Sequence, residues 1–153
     1  MFKSSEEVPV GLAQPLQATV VEWYAGAPRH LRILANLLVV PYTRQTFASR
    51  YRGDARGENV RRYNDAKNAM QNAFVVLLRE KGISPFSKEV RLGMALWVMV
   101  PTERADLSNL EKAVEDAGNG ALYHDDRQIR RRGEGGVIRG KPSIDLHLWT
   151  LED

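Results

Sequence analysis

Twice in this chain an aliphatic run stops at a proline, and helical periodicity follows further on. Residues 31–40 are almost wholly aliphatic and end at Pro41; residues 90–100 carry Leu96, Trp97 and Val98 and end at Pro101. Runs of this length bounded by proline read as buried strands. Between Arg61 and Lys81, Tyr63, Ala66, Met70, Ala73, Phe74 and Leu77 recur at helical spacing until Gly82, which predicts a helix packed by one face. A second helix is expected over residues 106–118, where Leu107, Leu110, Ala113, Val114 and Ala117 share one side and Gly118 and Gly120 end it. Residues 122–132 and 144–151 read as two further strands, joined through the glycine-rich stretch 133–136. The order β-α-β-α-β-β implies an α+β fold in one domain. Its mixed sheet has about four strands, with two helices on one face.

A length of 153 residues suits one modest core. Residues 1–28 are interrupted by Pro9, Pro15 and Pro28, and only residues 18–24 suggest a short strand or helical turn. They are read as an N-terminal extension, leaving 29–153 as the domain proper. The absence of cysteine excludes disulfides, thiolate nucleophiles and thiolate-bound zinc. The apolar runs are too short for a bilayer span, and the first residues carry no signal-peptide pattern, so a cytoplasmic protein is expected.

Net charge is only +3, but arginine is clustered. Residues 42–60 form a basic, aperiodic stretch with Arg44, Arg50 and Arg52; Arg130, Arg131 and Arg132 form a second centre. Local basic density of this kind suits phosphate contact, with a solvated charged rim as the plainer alternative.

The segment 106–129 carries the chemistry. Asp106 stands at the mouth of the second helix, and Asn109, Lys112 and Asp116 follow at steps of three, three and four along one flank. Asp125 and Asp126 then arrive after a glycine-containing turn. Carboxylates from two elements suit a hard cation such as Mg²⁺, which keeps several waters and assists phosphoryl displacement. Plainer roles exist for each residue. Asp106 is a good helix cap, as is Ser108, which forms a Ser-x-x-Glu box with Glu111. Lys112 reads equally as a solvated helix residue, and the aspartate pair as a turn.

These residues resemble the signature of the RusA endodeoxyribonucleases, which resolve Holliday junctions. The resemblance rests on Asp106, Asn109, Lys112, Asp116-Ala117, Asn119-Gly120, Tyr123, Asp125-Asp126 and Gln128-Ile129. It implies Mg²⁺-dependent incision of four-way or branched DNA by a homodimer, with Mn²⁺ as the alternative ion. By it, Asp106 and Asp126 are catalytic and metal-binding carboxylates, Asp125 a supporting metal-site acid and Lys112 a catalytic lysine. Arg44, Arg50, Arg52, Arg130, Arg131 and Arg132 are then expected on DNA. One departure stands out: the family's second aspartate falls on Ser108, leaving one charge fewer for a metal. A branched-DNA-binding protein with a weakened or inactive metal site is the alternative this raises.

Overall fold

The computed structural model describes residues 17–24, 29–42, 55–101 and 106–151. Six strands form one mixed sheet: β1 (Gln17–Tyr24), β2 (His30–Asn36), β3 (Leu92–Val100), β4 (Ile129–Arg132), β5 (Gly136–Arg139) and β6 (Ser143–Thr150). Two helices, α1 (Ala55–Lys81) and α2 (Leu107–Gly118), complete the single α+β domain. The sheet runs β1-β2-β6-β3-β4, with β5 also against β3. All neighbours are antiparallel except β4 and β5, which lie parallel to β3.

Strict alternation sets the core face. Leu31, Ile33 and Ala35 of β2 lie opposite Leu148, Leu146 and Ile144 of β6, and these in turn lie opposite Met94, Leu96 and Val98 of β3. All nine are buried in one cluster with Tyr63, Met70, Phe74 and Leu77 of α1 and Leu110, Ala113, Val114 and Ala117 of α2. Side chains standing alternately above and below a pleated strand put Arg32, Asp145, His147, Trp97 and Trp149 on the opposite face. There Arg32 makes a two-pronged ion pair to Asp145 at 2.7 and 2.9 Å.

Three features differ from the sequence expectation. First, the sheet has six strands rather than about four. β1 lies within the stretch read as an extension and pairs with β2 from Gln17↔Asn36 to Tyr24↔His30. Second, the stretch 133–136 is less a turn than a close approach of two backbones. A Cβ on Gly135 would lie 2.2 Å from the Leu96 carbonyl oxygen, and Gly136 already begins β5. Glycine is required where two main chains come so near. Third, residues 122–128 are not strand. A 3-10 turn, Asp126–Gln128, precedes β4. Among the described residues no helix is long and apolar enough to cross a membrane.

Candidate active site

The α2 N-terminus is capped by Asp106, whose carboxylate accepts the Ser108 amide at 2.8 Å. The Ser108–Glu111 capping box read from sequence therefore does not form. A carboxylate at this position both accepts an orphan amide and faces the positive end of the helix dipole, which a neutral hydroxyl does less well. Ser108 itself is exposed at the second position of the helix.

Six residues after this cap, α2 presents Lys112 to Asp116. Nζ lies 2.9 Å from Asp116 Oδ1 in an i,i+4 pair, and 3.8 Å from Asp126 Oδ2. The hydrogen bond to Asp116 is the main cause that raises the Lys112 pKa, with the charges of Asp116, Asp126 and Glu115 adding to it. Lys112 is thus a firmly protonated ammonium poised between two carboxylates, with its side chain still 46% exposed. The second oxygen of Asp116 accepts from the Tyr63 hydroxyl at 2.7 Å. Tyr63 is wholly buried on α1, and its phenol is pushed far above the ordinary range, first by burial and then by this hydrogen bond. Tyr42 packs edge-on against Tyr63, and its ring lies beneath the Lys112 ammonium.

The chain turns at Asn119-Gly120, where Gly120 has φ +76°, a conformation that favours glycine. Asn119 Nδ2 donates to Asp126 Oδ2 at 3.1 Å, and Gln71 of α1 holds the Asn119 carbonyl. At Gly118 a Cβ would strike the Tyr123 ring, whose hydroxyl donates to the Glu115 carbonyl at 2.7 Å. This packing brings the 3-10 turn back alongside α2. Asp125 caps that turn by accepting the Arg127 amide at 2.8 Å, so the aspartate pair divides its work: Asp125 caps and Asp126 faces Lys112.

Gln128 ties the turn to the rest of the fold. Its Oε1 accepts the His124 and Asp125 amides at 2.9 and 3.0 Å, and its Nε2 donates to the Ser87 and Val90 carbonyls at 2.8 and 2.9 Å. Every hydrogen-bonding site of one nearly buried amide is used to join two loops about forty residues apart in the chain.

The expected DNA-contacting arginines fare differently. Arg44, Arg50 and Arg52 lie outside the described residues. Arg130, Arg131 and Arg132 are all exposed on β4. Arg131 lies opposite Gly93 on the helix-free face, whereas Arg132 lies opposite Met94 and bonds Glu115 at 2.9 Å. Burial raises the Glu115 pKa most strongly, against the lowering effect of Arg132. Sequence reasoning missed Tyr63, Asn119 and Glu115 as members of this cluster. It also missed that His30 and His147 meet at 3.0 Å on the open sheet face.

The donor set tells which cation it would suit. Asp126 offers hard carboxylate oxygens, and among the described residues Asn119 Oδ1 is a buried oxygen without a hydrogen-bond partner on the amide that touches Asp126. The Asp106 carboxylate lies at the α2 cap, with one oxygen taken by the Ser108 amide. Among the described residues no three carboxylates or imidazoles converge. An all-oxygen set this sparse fits Mg²⁺ or Mn²⁺, which retain waters, and not a thiophilic metal.

Comparison with known proteins gives one result on each side. The family model for endodeoxyribonuclease RusA matches residues 39–148. No curated protein matches the chain.

Proposed function

Since the chain belongs to the RusA endodeoxyribonuclease family, whose members cut Holliday junctions, we propose that it resolves four-way DNA by paired, divalent-metal-dependent phosphodiester hydrolysis. The observation that carries this reading is the meeting of Lys112 and Asp126 at 3.8 Å inside the matched segment.

Asp106 and Asp126, with Asp125 in support, would hold Mg²⁺ or Mn²⁺. The bound ion supplies an activated water and neutralises charge developing on the phosphate. The chain's own residues do the rest. Lys112 stays cationic across the neutral range and offers its ammonium to a non-bridging phosphate oxygen. Asp116, anchored from below by Tyr63, fixes where that ammonium points. Asn119 fixes the Asp126 carboxylate. Exposed Arg130 and Arg131 contribute phosphate contacts, and Arg132 extends the run while pinned to Glu115.

Residues 29–153 serve as the nuclease domain of a cytoplasmic protein, with 1–28 as an N-terminal extension whose β1 adds a strand to its sheet. A homodimer supplies the two symmetry-related sites that paired incision needs.

The test is incision of a synthetic four-way junction with Mg²⁺ or Mn²⁺, comparing wild type with Asp126→Asn. Paired cuts that disappear in the variant support the reading and show that Ser108 is tolerated. Tight junction binding without cutting favours the second reading, a non-cleaving branched-DNA binder. Recovery of cutting in Ser108→Asp then locates the defect in the missing carboxylate.

A further inference from the structure

Beside the Lys112–Asp126 cluster, on the other flank of the 3-10 turn, lies an open cleft of about 380 Å³. One wall is the loop 88–91, carrying Lys88 and Arg91; the other is the turn and the start of β4, carrying Arg127 and Arg130. Gln128 lines the cleft and holds its two walls together through the four hydrogen bonds described above. The four cations face only two acids, Glu89 and Asp125. One carboxylate oxygen of Asp125 is already occupied in capping the turn. Lys88, Arg127 and Arg130 are exposed, and among the described residues neither Lys88 nor Arg130 is held in a salt bridge.

Fixed walls with exposed cationic side chains, of which Arg127 lies 3.6 Å from the Asp125 carboxylate, suit a polyanion better than a small molecule. The cleft is open and polar, so it buries little ligand surface, while Lys and Arg on both sides neutralise successive phosphates. Its position adds the decisive constraint. Asp125 lines the cleft and Asp126, the next residue, faces Lys112, so the two sites adjoin across a single peptide unit.

We infer that this cleft seats the phosphodiester backbone of the DNA strand immediately beside the scissile phosphate, with Lys88, Arg91 and Arg127 as backbone contacts additional to the arginine run. Gln128 acts as a positioning residue that fixes the cleft's width. The inference rests on the nuclease reading above and names how that site holds its strand.

The test is the salt dependence of junction binding by the full chain, followed by fluorescence anisotropy across a series of salt concentrations without divalent metal. Each phosphate contact adds roughly 0.9 to the slope of log affinity against log salt. Lys88→Gln/Arg127→Gln, one change per wall at exposed sites, is expected to lower that slope by roughly 1.8. A charge-matched control outside the cleft, Arg139→Gln/Lys141→Gln, is expected to lower it by clearly less. An unchanged slope in the cleft variant, or an equal fall in the control, overturns the cleft while leaving the nuclease reading intact. A wild type with no salt-linked preference for the junction removes both.

Discussion

Tyr63→Phe isolates the buried anchor of the candidate site. The substitution removes one hydroxyl and nothing else: the ring stays in the core and keeps its edge-on contact with Tyr42. What is lost is the 2.7 Å hydrogen bond to Asp116 Oδ2. A hydrogen bond to a charged acceptor contributes about 1.5–3 kcal/mol. Asp116 keeps Lys112 as partner and its side chain is 20% exposed, so water reaches it in part and the lower half of that range applies. The expected destabilisation is about 2 kcal/mol, or roughly 4–8 °C in Tm for a chain of this size. Urea denaturation followed by circular dichroism measures it. A double-mutant cycle with Asp116→Asn should return a coupling of about 1 kcal/mol or more, because the two groups act on each other directly. Because Asp116 also sets the direction of Lys112, cleavage should fall in Tyr63→Phe without loss of junction affinity. Stability within about 0.5 kcal/mol of wild type, with no coupling, would refute the claim that Tyr63 anchors the site.

Two further perturbations probe the surroundings. Burial raises the Glu115 pKa, so the folded state holds this proton more tightly than the unfolded state does. The carboxyl therefore costs stability progressively as pH rises from about 4.3 through the folded pKa. Glu115→Gln keeps an acceptor for Arg132 and removes that dependence, so urea midpoints should shift in favour of the variant between acid and neutral pH; a pH-independent difference contradicts the assignment. Gln128→Leu strands two amides and two carbonyls at once. At about 1–3 kcal/mol for each group left without water, a loss of about 3 kcal/mol is expected even with solvent rescuing half. Hydrogen exchange at the His124 and Asp125 amides should accelerate selectively, and unchanged protection there would show that Gln128 does not join the loops.

Alternation and helical spacing are local properties, and what they govern was legible in the sequence. The first part of the 31–40 run became β2, which ends at Asn36, and the 90–100 run became β3. The strand expected over 144–151 became β6, and the two apolar stripes became α1 and α2. The pairing of Lys112 with Asp116 was implicit in their i,i+4 spacing. The resemblance to the RusA nucleases, carried by residues 106–129, agrees with the family match over 39–148.

Tertiary structure decided the rest. Tyr63 meets Asp116 across 53 positions, and Gln128 meets Ser87 across 41, so no local pattern announces either contact. The cap of α2 was open in the sequence because Asp106 and Ser108 are chemically suited to the same place, and nothing local tells Asp125 from Asp126. The backbone geometry gave the caps to Asp106 and Asp125 and turned Asp126 toward Lys112. β5 was hidden because its first residue belongs to a glycine cluster, and glycine marks a turn and a close backbone approach alike. Periodicity tells which face of an element is buried, whereas only the packed chain determines which residues that burial brings within bonding distance.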